Sequence, residues 1–181
     1  PAFCKEHAYT NYMDLVNDPN VDIAIITTDD NSHKDITCAF LRAGKHVLLE
    51  KPMAPTPEEC KSITEAAEKK GVKVVVCHVL RFTPFWRAVK NVILSGKLGN
   101  IQSVIGTENV GHIHQSHSFV RGDWRNTAES TCMIMAKCCH DMDILQWLLG
   151  KKCTKVQSFG SLTHFKEENA PDTMPYAAVK A

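Results

Sequence analysis

The chain has 181 residues, 44% hydrophobic and 23% charged, and its 21 Lys and Arg against 20 Asp and Glu leave a formal net charge of +1. That composition excludes collagen and intrinsic disorder, offers no basic footprint for nucleic acid, and contains no apolar run near the ~20 residues that cross a bilayer. At roughly 100 to 200 residues per domain, the length accommodates one domain, or one domain plus part of another. The opening residues, PAFCKEHAYT, contain neither an initiator Met nor a basic segment followed by an apolar core, so no secretory leader is expected and the chain reads as starting mid-protein.

Taken in order, VDIAIIT (21–27) is a short apolar run suited to a strand covered on both faces. A helix follows, with Ser32 and Asp35 as a weak capping box, Ile36, Ala39, Phe40 and Ala43 at helical spacing, and Gly44 at its end. HVLLE (46–50) is the second strand. The next helix carries Thr56 as N-cap, Pro57 at its first position, Glu59 completing a capping box, Lys69 and Lys70 in the last turn, and Gly71 as terminator. VKVVVC (72–77) is the third strand, and Thr83 and Pro84 open a helix that Gly96 ends.

Strands and helices alternating at this spacing predict parallel βαβ units and therefore the α/β class, with a doubly wound parallel sheet. Ligands of such sheets sit beyond the carboxyl ends of the strands. Here those ends read TTDDNSH (27–33), EKP (50–52) and HVLRF (78–82), which gathers hydroxyl, carboxylate, ammonium, imidazole and guanidinium groups along one edge.

Beyond Gly99 the pattern changes. IQSVIGTENV (101–110) has β character, a polar loop runs to about residue 131, a helix spans about 133–149 and stops at Gly150, and KVQSFGSL (155–162) suits one more strand. We therefore expect a partial dinucleotide-binding domain over 1–97 and the start of an α+β domain with an open sheet over 98–181. The tail KEENAPDTMPYAAVKA has no clear period and reads as a frayed end or loop.

The eight cysteines are irregularly spaced, with several inside helical or strand patterns, so reduced thiols of a cytoplasmic protein are expected rather than a disulfide framework. Cys132, Cys138, Cys139 and His140 lack a C-x-x-C pair, and no structural zinc is expected. GHIHQSHSFVRGDWRN (111–126) invites a metal reading through His112, His114 and His117. The alternation of His112 and His114 in a strand-like segment, with no acidic ligand beside them, favours a polar substrate loop instead, in which Arg121, Trp124 and Arg125 suit a hydroxylated or acidic sugar.

AGKHVLLEKPMA (43–54) with the preceding strand and TTDDNSH loop, then HVLRFTPFW (78–86), then CHDMDILQWLLG (139–150) resemble the Gfo/Idh/MocA family of NAD(P)-dependent oxidoreductases. The resemblance implies a Rossmann domain, an α+β domain whose open sheet often mediates homo-oligomers, NAD or NADP as cofactor, and a sugar, cyclitol or related polyol as substrate. It also implies roles. Lys51 reaches the nicotinamide ribose and the substrate hydroxyl, with Glu50 as its partner and Pro52 setting the backbone beyond. His140 acts in proton transfer, and Thr27, Thr28, Asn31 and His33 lie along the cofactor, with His78 and Arg81 bordering the nicotinamide side.

Three departures qualify these roles. No G-x-G occurs anywhere. Residues 7–19 match the family's third strand and short helix, so the phosphate-binding turn is expected upstream of Pro1 and the chain is read as a fragment, inactive alone. Asp29 stands where many members have proline. Ala136 occupies the place of the Asp that usually precedes the histidine by four residues, and Lys137 beside it suggests a proton shuttle through Lys51, Lys137 and His140. The alternatives are an NAD-dependent glycosidase of the same family, acting by transient oxidation, and a non-catalytic nucleotide- or sugar-binding remnant.

Overall fold

The computed structural model describes residues 8–169. A short helix α1 (Tyr12–Asn17) precedes strand β1 (Ile23–Ile26), a 3-10 turn (Asp30–Ser32) and helix α2 (His33–Arg42). Strand β2 (His46–Leu49), helix α3 (Pro57–Lys70), strand β3 (Val74–Val76), a second 3-10 turn (Val79–Phe82) and helix α4 (Pro84–Leu94) follow. A helical turn α5 (His112–His114) runs into a π-helical stretch (Gln115–Arg121), and helix α6 (Met133–Leu149) is the last long element.

The three strands form one parallel sheet in the order β1-β2-β3, the arrangement expected of consecutive βαβ units. Alternation in β1 sends Ala24 and Ile26 inward with Val47 and Leu49 of β2, where they meet Phe40 and Leu41 of α2 and Ile63 and Ala67 of α3. These side chains are the centre of the core. The opposite face is open: Ile23, Ile25 and Val75 are 61%, 69% and 51% exposed.

The start and stop signals of α3 take the expected form. Thr56 Oγ1 accepts from the Glu59 amide while Glu59 Oε2 accepts from the Thr56 amide at 3.2 Å, and Gly71 ends the helix at φ +66°, where a side chain would be strained. The weak box at Ser32 does not form. Its hydroxyl instead donates to Asp29 O and pairs with the Thr28 hydroxyl, both at 2.8 Å, because the chain enters α2 through a 3-10 turn that brings those oxygens closer than the helix amides.

The second half departs from expectation. No strand occurs among residues 77–169. Segments 101–110 and 155–162 have the β-type composition but no neighbouring strand to complete their hydrogen bonds, and Ile105, Val156 and Phe159 are 96%, 86% and 88% exposed. The stretch read as a polar loop with a strand-like His alternation is helical from His112 to Arg121. Gly122 permits its exit, since a Cβ there would lie 2.5 Å from the His117 carbonyl oxygen. Of the expected third-strand match at 7–19, α1 is present, residues 8–11 are not a strand, and His7 lies outside the described residues, as does most of the tail.

Helix α6 is held against the first half from α4. Lys90 Nζ donates to the Trp147 and Leu148 carbonyls at 2.5 and 2.9 Å and lies 5.4 Å from the Trp147 ring centre. Its ammonium thereby satisfies terminal carbonyls of a helix whose own last turn contains no basic residue.

Candidate active site

The ladder hydrogen bonds continue past the strands: Glu50 N donates to Ile26 O and Cys77 N to Leu49 O, at 2.9 and 2.8 Å. This register aligns Thr27, Glu50 and Cys77, so the three polar strand ends share one edge. His33 ties two of them together. Its ring is fully buried, with Nδ1 2.8 Å from Pro52 O and Nε2 3.1 Å from Thr28 O. Both nitrogens are thus occupied by backbone, which makes His33 a brace of the edge rather than a free cofactor contact. The Lys51–Pro52 peptide is cis.

Lys51 projects across this edge to α6, where Nζ donates to the Ala136 carbonyl at 3.1 Å. Glu50 does not pair with that ammonium: its Oε2 accepts from the Lys51 backbone amide at 3.1 Å, which leaves the ammonium free to reach α6. One helical turn beyond Ala136, His140 meets His78 edge-on, with ring centres 6.3 Å apart and planes at 82°. The Nδ1 atoms of both rings are buried without a hydrogen-bond partner among the described residues.

Both imidazoles are held below the ordinary histidine value. For His140 the largest cause is burial, followed by the Lys51 cation and His78, with Lys137 contributing less and Asp141 opposing. For His78 burial again leads, and Asp143 opposes it. Each ring therefore favours its neutral form, able to accept a proton.

Asp143, on α6, orders the other side. Arg81 grips it with both arms, Nε to Oδ2 at 2.7 Å and Nη2 to Oδ1, while His78 Nε2 lies 3.7 Å away. The side chain of Asp143 is only 9% exposed. The guanidinium is thus committed to fastening the third strand end to α6.

Against Lys51 lies a small cavity of about 120 Å³ whose wall includes Asp30, Phe119, Trp124, Ala136 and Lys137. Phe119 and Trp124 stand 6.3 Å apart, and Lys137 Nζ sits 5.9 Å over the Phe119 ring. Among the expected substrate residues, Trp124 reaches this cavity. Arg121 and Arg125 are exposed, their guanidinium groups directed to Ser116 O at 3.5 Å and Arg121 O at 3.4 Å. Thr27 and Thr28 are exposed at the edge, and Asn31 Nδ2 donates to Glu129 O at 2.6 Å.

Sequence reasoning missed Asp30, Thr131, Phe119 and Asp143. Asp143 alone left a signal, three residues after His140 on the same helical face. The others come together only because the segment 115–131 folds back over the first strand end. Among the described residues no group of His, Cys, Asp or Glu is arranged to hold a metal ion, and no helix is long and apolar enough to cross a membrane.

The parallel sheet with its crossover helices thus sets Lys51 and His78 at strand ends facing His140 of α6, on the edge where sheets of this class bind their ligands. Residues 2–78 match the oxidoreductase family with an NAD-binding Rossmann fold, and residues 86–177 match the Gfo/Idh/MocA C-terminal domain, so the chain belongs to the Gfo/Idh/MocA family. It is 32% identical over 152 residues to inositol 2-dehydrogenase of Salmonella paratyphi B, covering 83% of this chain and 42% of that protein. With 1,5-anhydro-D-fructose reductase of Ensifer adhaerens it shares 40% identity over 90 residues, half of this chain and 27% of the reductase. The crystal structure of an NAD-binding oxidoreductase from Klebsiella pneumoniae superposes with a TM-score of 0.72 at 30% identity, over 79% of this chain and 38% of that one. The chain thus spans about two fifths of the length of the Salmonella and Klebsiella relatives.

The residues present fit the nicotinamide end of the family's cofactor. Lys51 offers an ammonium at the sheet edge, and the buried Nδ1 atoms of His78 and His140, without a hydrogen-bond partner among the described residues, can each donate or accept there. The glycine-rich turn that cradles the pyrophosphate does not occur in the sequence.

Proposed function

We propose that the full-length protein carrying this chain is an NAD(P)-dependent dehydrogenase or reductase of a cyclic polyol or sugar. The observation that carries the proposal is the Lys51 ammonium, seated at the sheet edge on the Ala136 carbonyl beside the neutral imidazole of His140. NAD or NADP supplies the hydride acceptor or donor when bound. Lys51 orients the reacting hydroxyl and stabilises oxygen charge, His140 accepts the hydroxyl proton, and His78 with the Arg81–Asp143 pair holds the histidine in place. Thr27 and Thr28 provide hydroxyls along the cofactor, and Trp124 offers a stacking face for the ring.

Lys137 has a smaller part in this reading than its sequence position suggests. Its ammonium rests on Phe119, and its influence on His140 is weaker than that of Lys51. The names of the relatives, dehydrogenases and reductases, favour net oxidoreduction over oxidative glycoside cleavage or a non-catalytic remnant. A cytoplasmic location and a homo-oligomeric state complete the proposal, the assembly supported by the apolar side chains that α4 and residues 101–110 leave exposed.

The test is nicotinamide reduction by the full-length protein with a panel of inositols and aldoses. Turnover is expected with at least one of them, and Lys51→Met is expected to lower kcat by about 100-fold or more. Absence of turnover across the panel, or full activity in Lys51→Met, refutes the proposal.

A further inference from the structure

We infer that Asp30 is a positioning residue for substrate specificity: its buried carboxylate clasps the 124–131 segment to the first strand end and thereby holds the Trp124 indole as a wall of the cavity at Lys51. The inference rests on the oxidoreductase reading above and names a residue that reading does not use. Asp30 is 8% exposed and opens the 3-10 turn after β1. A single oxygen, Oδ2, accepts from two donors distant in sequence: the hydroxyl of Thr131, itself 5% exposed, and the Trp124 indole Nε1 at 3.4 Å. Asn31 adds a second fastening through Glu129 O. The loop from 124 to 131 is therefore pinned near both ends by two adjacent residues of the strand-end loop.

The consequence for a ligand lies in the indole. A buried carboxylate requires donors, and Asp30 obtains one of them from the only polar atom of the Trp124 side chain. With that N–H engaged by Asp30, which also lines the cavity, the ring presents apolar surface beside Phe119, while the cationic side chains of Lys51 and Lys137 line the same small cavity. A cyclic polyol matches this arrangement, with axial C–H groups against the ring and hydroxyls toward the cations. An open-chain polyol has no flat face to place there and gains little from a rigid wall.

The experiment compares Asp30→Ala and Asp30→Asn in the full-length protein, with myo-inositol as cyclic probe and D-glucitol as open-chain probe. Asp30→Ala is expected to raise KM for the cyclic probe about tenfold, to change KM for the open-chain probe less than about threefold, and to leave kcat within about twofold. Asp30→Asn retains an acceptor oxygen of the same shape and is expected to stay close to the parent. The indole N–H resonance of Trp124, assigned by its loss in Trp124→Phe, is expected to shift and exchange faster in Asp30→Ala but not in Asp30→Asn.

An unmoved indole resonance in Asp30→Ala overturns the clasp. Equal KM increases for both probes, or a KM increase for the cyclic probe in Asp30→Asn matching that in Asp30→Ala, overturn the specificity role. If the parent turns over neither probe nor any other polyol, the oxidoreductase reading fails, and the indole resonance still decides whether Asp30 holds Trp124. If Asp30→Ala does not fold, Thr131→Val removes a donor from the same oxygen and supports the inference by the same pattern at smaller size, or overturns it by leaving resonance and KM unchanged.

Discussion

His140 illustrates how a side chain acquires chemistry from its surroundings. Nothing in CHDMDILQWLLG distinguishes a proton acceptor from a packed helix histidine; burial and the ammonium of Lys51, supplied by a strand end 89 residues earlier by numbering, make the difference. The sign of the pH effect follows. A histidine depressed on folding is protonated first in the unfolded chain, so the stability it contributes is complete above the ordinary value of about 6.5 and is lost as pH falls through the lower folded value. His78 acts in the same direction. We expect the His140 ring resonance to titrate below 6.5 and to move upward in Lys51→Met; titration at or above 6.5 in the parent is the contrary result. Arg81 shows the reverse lesson. A guanidinium at a strand end looks available for a ligand, yet both of its arms are spent on Asp143. Asp143→Asn keeps the side-chain shape but removes the charge and turns one of the two acceptor oxygens into a donor facing the guanidinium, and a loss of about 2 kcal/mol in chemical denaturation is expected.

At the scale of elements, helices announced themselves and strands did so only in the first half. The Thr56, Pro57, Glu59 and Gly71 signals act within one turn of chain, so local sequence suffices to specify them. Thr56→Ala removes the cap and is expected to cost about 1 kcal/mol, read as a lowered denaturation midpoint with an unchanged slope. A strand, by contrast, needs a neighbour. VDIAIIT and VKVVVC lie on either side of HVLLE and pair with it, whereas IQSVIGTENV and KVQSFGSL carry similar residues and find no partner within the described residues. Periodicity also misjudged residues 112–121, where His112 and His114, separated by one residue, suit a strand but both lie in the single turn of α5 that runs on into the π-helical stretch. Such a stretch depends on what it packs against, and here that is the ring of Trp124 and the tight exit at Gly122.

Across the whole molecule, apolar surface remains uncovered. One sheet face exposes Ile23, Ile25 and Val75, and a groove of about 1090 Å³ between α4, α6 and residues 101–108 is lined by side chains such as Phe85, Val92 and Leu148. Surfaces of this extent are unusual for an isolated soluble monomer. The 181-residue chain produced alone is therefore expected to bind a hydrophobic dye such as ANS strongly and to show no turnover; weak dye binding by a monodisperse monomer is the result that contradicts this. Sequence by itself determined the βαβ order, the ends of α3 and α6, the family resemblance and the presence of Lys51 and His140, because caps, apolar periodicity and short motifs are written in residues close together along the chain. Only the tertiary structure decided that His33 braces the edge, that Lys51 rests on Ala136 rather than pairing with Glu50, and that Asp30 meets Thr131 and Trp124. Apart from the His33–Thr28 contact, five residues apart, those contacts join residues 19 to 101 positions apart, and their energies depend on burial that no local pattern records.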